Sequence, residues 1–218
     1  MQIDFPLSPY ENIVFDIGNV VLEWKPEEIL KNAWGVSTNF QYYIDKTFGS
    51  PEWLKFDKGE IQLDELCLIF STRLGKSVEE MRRLLEVAKE SLVPFPKSLE
   101  LLDSFEEVGF SLYALTNMPD YTFSYLFNKY EFWKKFKHIT VSSHVKMIKP
   151  DLAVYEHMLN KNSLDPAKTI FLDDSFKNVQ AANELGILGI HFFDAENCIE
   201  QLRVYSTANN FPCAGEST

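Results

Sequence analysis

The sequence predicts an α/β protein: a parallel sheet with helices on both faces and a helical unit inserted after the first strand. Three observations predict it. Ile13-Val14-Phe15 is an apolar run followed directly by Asp16, the pattern of a short buried strand. From Glu23 to Leu92 helix signals succeed one another without a convincing strand. From Lys97 onward, short apolar runs alternate with stretches of helical length.

After the first strand, Ile17 leads into the turn signal Gly18-Asn19. Pro26 suits the first turn of a helix through Glu27–Ala33, ended by Gly35. Thr38–Phe48 reads as a second helix with Gly49 behind it, and Ser50-Pro51 opens a short third closed by Gly59. Leu63, Leu66, Phe70 and Leu74 recur at helical spacing along Asp64–Leu74, which stops at Gly75. Ser77-Val78-Glu79-Glu80 is a capping box that opens an amphipathic helix through Met81, Leu84, Leu85 and Ala88. The aromatic residues Trp24, Trp34, Tyr42, Tyr43 and Trp53 are expected in the core of this unit. Val93-Pro94-Phe95-Pro96 reads as the return hinge.

The second half alternates. Lys97–Val108 is a helix ended by Gly109, and Phe110–Leu115 a strand ending at Thr116-Asn117. Tyr121–Lys129 is a helix, Ile139–Ser142 a strand whose loop carries Lys149-Pro150, and Asp151–Lys161 a helix. Thr169–Leu172 is a strand ending at Asp173-Asp174, followed by a helix over Ser175–Leu185 and Gly186. Leu188–Phe192 is the last strand and Glu196–Tyr205 the last helix, with a polar, frayed tail from Ser206.

The 218 residues, 45% hydrophobic, suffice for one sizeable core or a core with an accessory unit. Lys+Arg 21 against Asp+Glu 32 gives a net charge of −11, which argues against a nucleic-acid partner. A small phosphorylated ligand stays compatible, because a metal and one Lys supply positive charge locally. The scattered Cys67, Cys198 and Cys213 fit a reducing compartment without a disulfide framework. Cys67 reads as core filler on a helix and the other two as incidental. The opening residues carry no signal-peptide pattern and no apolar run is long enough to span a membrane, so a soluble cytoplasmic protein is expected. The histidines His138, His144, His157 and His191 lack metal-ligand spacing. No nucleophile elbow, GxGxxG or P-loop occurs.

Polar residues collect at the strand ends: Asp16, Thr116-Asn117, Lys149 on its loop, and Asp173-Asp174. Right-handed crossovers bring these ends to one edge of a parallel sheet, where ligands bind. Adjacent carboxylates repel unless a cation intervenes, and Mg²⁺ suits an all-oxygen donor set. Thr116, nearby backbone N–H groups and Lys149 can then hold phosphate oxygens.

The order Asp, Thr, Lys, Asp-Asp resembles the haloacid dehalogenase-like hydrolase superfamily over nearly the whole chain. FDIGNV, ALTN, KP within MIKPDLAVY, and FLDDSFKN look like its first to fourth motifs. The pattern is most similar to the helical-cap branch, which includes glucose-1-phosphate phosphatase-like proteins and the amino-terminal domain of mammalian soluble epoxide hydrolases. The resemblance implies a Rossmann-like core over residues 1–22 and 95–218 and a cap over 23–94. It implies a Mg²⁺-dependent phosphatase acting on a small phosphorylated metabolite. Asp16 would be the nucleophile, forming an aspartyl-phosphate. The Gly18 carbonyl, Asp16 and Asp174 would hold Mg²⁺, with Asp173 in support. Thr116, the Asn117 backbone and Lys149 would grip the phosphoryl oxygens, and Lys149 would screen Asp16.

One departure matters. Many phosphatases of the superfamily carry an acid two places after the nucleophile, where this chain has Gly18; Asn19 cannot act as an acid. Good leaving groups then gain an advantage, which points to anomeric or otherwise activated phosphates such as a sugar 1-phosphate. Glu23 and Trp24 are candidates for substrate contact. Three alternatives compete. A receiver domain has its acidic pair early rather than late. A 2-haloacid dehalogenase would leave Asp173-Asp174 beside the nucleophile without a cation. A non-catalytic binding or regulatory protein could retain the fold, and Gly18 is the feature in its favour.

Overall fold

The computed structural model describes residues 3–209. Five strands, β1 (Asn12–Phe15), β2 (Ser111–Thr116), β3 (His138–Val141), β4 (Thr169–Asp173) and β5 (Leu188–His191), form one parallel sheet in the order β3-β2-β1-β4-β5. β1 is central, with Phe15 in register with Ala114 of β2 and Leu172 of β4. The C-terminal ends of three neighbouring strands therefore finish side by side.

Strand side chains alternate between two faces, and both faces are apolar because both are covered. Ile13, Phe15, Leu112, Ala114, Ile170 and Leu172 point into one layer. There they meet α6 (Pro96–Glu107), α7 (Asp120–Lys129) and α11 (Ala195–Asn209). Val14, Tyr113, Leu115 and Phe171 point the other way, into α9 (Leu152–Asn162) and α10 (Phe176–Glu184). β5 admits α10 closely at Gly189, where a Cβ would lie 2.8 Å from both Val179 Cγ1 and the Val179 carbonyl oxygen.

Between β1 and α6 lie α1 (Pro26–Trp34), α2 (Phe40–Lys46), α3 (Pro51–Asp57), α4 (Leu63–Leu74) and α5 (Val78–Ser91). Together they bury apolar clusters separate from the sheet, one around Ile29, Leu30, Leu84 and Ala88, another around Phe56, Leu66, Phe70 and Met81. The capping box forms as expected: Glu80 N–H donates to Ser77 Oγ at 3.2 Å and Ser77 N–H to Glu80 Oε2 at 2.8 Å. The insert leaves and returns at one point. Glu23 N–H donates to Val93 O and Phe95 N–H to Val21 O, each at 2.9 Å. It is also clamped to the sheet layer through its α3–α4 turn. Ser142 Oγ donates to Asp57 O at 2.5 Å and Lys146 Nζ to Gly59 O at 2.6 Å.

Several expectations need correction. The second helix is shorter than Thr38–Phe48, because Asn39 is left-handed at φ 57° and Thr47 departs from helical geometry, its hydroxyl bonding Tyr43 O at 2.7 Å. The chain turns from β3 directly into α8 (Ser142–Val145), so Ser142 is helical rather than a strand residue. A 3₁₀ turn at Glu131–Lys135, not foreseen from the sequence, seats Trp133 in the core. The last helix runs on to Asn209 instead of fraying from Ser206, which is buried and donates to Pro6 O at 2.6 Å. Cys67 fills a core as expected, but Cys198 is also buried in the main core rather than incidental. Cys213 and the rest of the chain beyond Asn209 lie outside the described residues. No described helix is long and apolar enough to cross a membrane.

Because the obstacle at Gly189 is partly backbone, neither side of the α10–β5 contact can yield freely. Gly189→Ala is expected to cost about 1–3 kcal/mol, the usual range for overpacking. Urea unfolding checks it, read as a lower midpoint with an unchanged slope.

Candidate active site

The sheet delivers Asp16, Thr116 and Asp173 to its C-terminal edge from β1, β2 and β4. Lys149 comes from the loop after β3 and is held there by Asn117. Asn117 Nδ2 donates to Lys149 O at 3.0 Å, and Lys149 N–H donates back to Asn117 Oδ1 at 2.9 Å. Fixed in this way, the buried Lys149 ammonium lies 2.8 Å from Asp16 Oδ1 and 2.6 Å from Asp173 Oδ2.

The three carboxylates differ in their surroundings. Asp173 is fully buried and already engaged: besides Lys149 it accepts from Ser175 N–H at 2.8 Å and from Asn178 Nδ2 at 2.9 and 3.1 Å. Asp16 accepts from Ile17 N–H at 2.6 Å and from Lys149. Asp174 is more open, and its side chain accepts from Asn19 Nδ2 at 3.1 Å. Asn19 adopts the left-handed conformation at φ 54° and also accepts from Trp24 N–H at 3.1 Å, so one side chain ties the first turn to the Asp-Asp pair.

An oxygen from each of Asp16, Asp173 and Asp174 lies within 4.8 Å of the others. One ammonium faces three carboxylates, so negative charge is in excess. Burial pushes the Asp16 carboxyl up to about 7; Lys149 opposes this and Asp173 and Asp174 add to it. Burial likewise raises Asp174, against the bond from Asn19. For Lys149 burial works downward, but the charges of Asp16 and Asp173 outweigh it and hold the ammonium above its usual value. A divalent cation among these oxygens would relieve the repulsion. The donors are hard oxygens and the Asp174 side is open to solvent, so the residues fit Mg²⁺, which retains several waters.

Beside this cluster a cavity of about 160 Å³ separates the strand ends from the helical insert. Gly18, Thr116 and Asn117 form its floor, and Trp24, Trp53, Phe56, Leu85 and Met118 supply apolar walls. The two tryptophans stack at 5.9 Å between centroids. Trp24 and Trp53 pack against the core clusters as expected and in addition wall the cavity, while Tyr42 lies exposed on the surface. Glu23 does not line the cavity; it pairs with Lys25 at 2.7 Å.

The structure thus brings together Asp16, Thr116, Lys149, Asp173 and Asp174. Asn117 contributes through its side chain to the Lys149 loop. Gly18 leaves open space where a side chain would stand, with nothing within 4 Å of the position a Cβ would take. Sequence reasoning missed Asn178, although it closes the motif FLDDSFKN one helical turn beyond the strand. It also missed Asp57, which in LKFDKGE has the look of a solvated helix end yet is buried in the cavity wall.

Known proteins resemble the chain in sequence and in fold. The family model described as haloacid dehalogenase-like hydrolase matches residues 28–191. A sesquiterpene phosphatase of Aspergillus oryzae is 29% identical over 194 residues, covering 88% of this chain and 95% of that protein. A drimenol cyclase of Aspergillus calidoustus is 25% identical over 193 residues, 87% of this chain but 35% of the longer protein. Among solved structures, a HAD family enzyme of Bacteroides thetaiotaomicron in complex with magnesium and inorganic phosphate superposes with a TM-score of 0.70. It is 25% identical, and the match covers 83% of this chain and 93% of that one.

A cation held by these carboxylates binds the folded chain alone. Mg²⁺ at a hundredfold excess over its dissociation constant should therefore stabilise the chelator-stripped protein by about 2.7 kcal/mol. Asp174→Asn should lose most of that increment. Thermal melting with and without Mg²⁺ measures both.

Proposed function

The chain belongs to the haloacid dehalogenase-like hydrolase family, and from that premise we propose that it is a Mg²⁺-dependent phosphatase of small organic phosphate esters. The observation that carries the reading is the Lys149 ammonium shared between Asp16 and Asp173, with Asp174 completing a carboxylate cluster beside a substrate-sized cavity. A phosphatase relative and a magnesium–phosphate complex of a structural neighbour support it.

In this reading residues 1–22 and 95–218 are the catalytic core and 23–94 a cap that excludes water and selects the substrate. Asp16 attacks phosphorus and carries the phosphoryl group as an aspartyl-phosphate. Lys149 draws the charge of Asp16 and of the phosphoryl oxygens, so that an anion can approach an anion. Thr116 and the Asn117 backbone hold the remaining oxygens. Asp16, Asp174 and the Gly18 carbonyl would hold Mg²⁺, and Asp173, its oxygens already committed, holds Lys149 in place. Mg²⁺ when bound supplies neutralising charge at the carboxylates and the phosphoryl group. A cytoplasmic setting belongs to the same reading, supported by the free buried thiols of Cys67 and Cys198.

For the substrate, the walls of Trp24, Trp53, Phe56, Leu85 and Met118 favour an apolar alcohol, in line with the name of the Aspergillus oryzae relative. A sugar 1-phosphate is the second candidate, favoured by the missing side chain at Gly18.

The purified protein should hydrolyse an aryl phosphate only with Mg²⁺, and Asp16→Asn should abolish the turnover. An apolar alkyl phosphate should exceed glucose 1-phosphate by at least about tenfold in kcat/KM, the equivalent of ~1.4 kcal/mol of apolar contact. Glucose 1-phosphate ahead of both the alkyl ester and glucose 6-phosphate would reverse the ranking.

A further inference from the structure

Hydrolysis of an alkyl phosphate needs a proton for the departing oxygen, and in-line attack by Asp16 directs that oxygen away from the strand ends, towards the insert. Lys89 is paired with Glu86 at 2.7 Å and donates to the Tyr121 hydroxyl at 3.1 Å, and that hydroxyl donates to Glu86. Thr116 and Thr122 are too weakly acidic to serve. Asp57 remains, at the C-terminal end of α3.

Asp57 is 7% exposed and no cation pairs with it among the described residues. Burial drives its carboxyl well above the usual carboxylate range, and a hydrogen bond from the Trp53 side chain opposes this only in part. Its backbone is anchored from the sheet layer. Ser142 Oγ, which accepts from Met118 N–H at 2.9 Å, donates to Asp57 O at 2.5 Å. Two residues on, Lys146 Nζ holds Gly59 O. A buried acid without a counter-ion is costly, and this one is held firmly against a cavity floored by Thr116 and Asn117.

We propose that Asp57 is the general acid and base of the hydrolysis, taking the place left open at Gly18. The inference rests on the phosphatase reading. As the Asp16 oxygen bonds to phosphorus and the P–O bond to the alcohol breaks, the Asp57 carboxyl proton passes to the departing oxygen and the alcohol leaves neutral. The Asp57 carboxylate then takes a proton from the water that attacks the aspartyl-phosphate. Phosphate departs, Asp16 is restored as a carboxylate and Asp57 as an acid.

The test compares kcat/KM for decyl phosphate and p-nitrophenyl phosphate with Mg²⁺, because kcat/KM reports the steps up to departure of the alcohol. In Asp57→Asn the decyl ester should fall by about 10²-fold or more, the usual worth of a general acid. The nitrophenyl ester, whose leaving group needs no proton, should stay within about threefold, with a burst of nitrophenolate as the phosphoenzyme accumulates. Equal loss on both esters, or loss on neither, overturns the proposal. If the variant does not fold, a series of esters on the wild type decides: kcat/KM nearly independent of leaving-group acidity supports the donor, and a steep dependence overturns it. Failure of the phosphatase reading is distinguishable, since the wild type would then turn over neither ester, and the role of Asp57 falls with it.

Discussion

A single buried ammonium, Lys149, organises the functional edge of this protein. Its two short ion pairs join Asp16 of the first motif to Asp173 of the last, across the central strands of the sheet. Such an arrangement is stable only when every member is fully partnered, because removal of any one leaves an uncompensated charge out of water. The surrounding bonds follow from that demand. Asn117 fixes the backbone of Lys149, while Asn178 and Ser175 saturate Asp173. Asp173 is thereby committed to structure, and Asp174 is left as the carboxylate with capacity to spare.

The helical insert works with this edge through a small number of connections. Its two chain passages are hydrogen-bonded to each other at Val21–Glu23 and Val93–Phe95, which makes one joint. The α3–α4 turn is held at a second place, by Ser142 and Lys146. Gly59 is required there: it is left-handed at φ 68°, and a Cβ would come within 2.8 Å of the Ser143 carbonyl oxygen. Trp24 and Trp53 stack into an apolar wall of the cavity. Charge is thus supplied by the sheet edge and apolar surface by the insert.

Much of this was legible in the sequence because it follows from local rules. Ile13-Val14-Phe15 and Thr169–Leu172 are apolar on both faces, as strands covered by helices must be, and the acids at their ends mark the ligand edge. Gly35 and Gly75 stop their helices in the left-handed conformation as their positions suggest, and Ser77 caps as its spacing to Glu80 suggests. What was not legible depends on distant residues. Trp53 and Trp24 read as core residues, and their second role as cavity walls arises only where the insert folds back over Thr116. Asp57 looks solvated until Ser142 anchors its backbone and the insert packs over the cavity it shares with Phe56 and Met118. Thr38 and Phe48 have helical patterning, but Asn39 and Thr47 spend their conformations on turns that only the packed insert explains.

The electrostatics of Asp16 link ligand binding to reactivity. Burial raises its carboxyl to about 7 against the pull of Lys149, and further positive charge nearby favours the carboxylate, the form that acts as a nucleophile. Any cation that lowers this value must, by linkage, bind more tightly as the proton leaves, and each tenfold gain in acidity corresponds to about 1.36 kcal/mol of that coupling. Lys149 alone cannot complete the task, because Asp173 claims a share of its charge and Asp174 adds repulsion. In the proposed hydrolysis a divalent ion among the three carboxylates would offset the excess of negative charge and favour the carboxylate form of Asp16. A proton donor placed among these carboxylates would be drawn into the same titration. Asp57, set apart on the insert and surrounded by apolar walls, can keep its proton while Asp16 loses one, and that separation is what two acids with opposite tasks require.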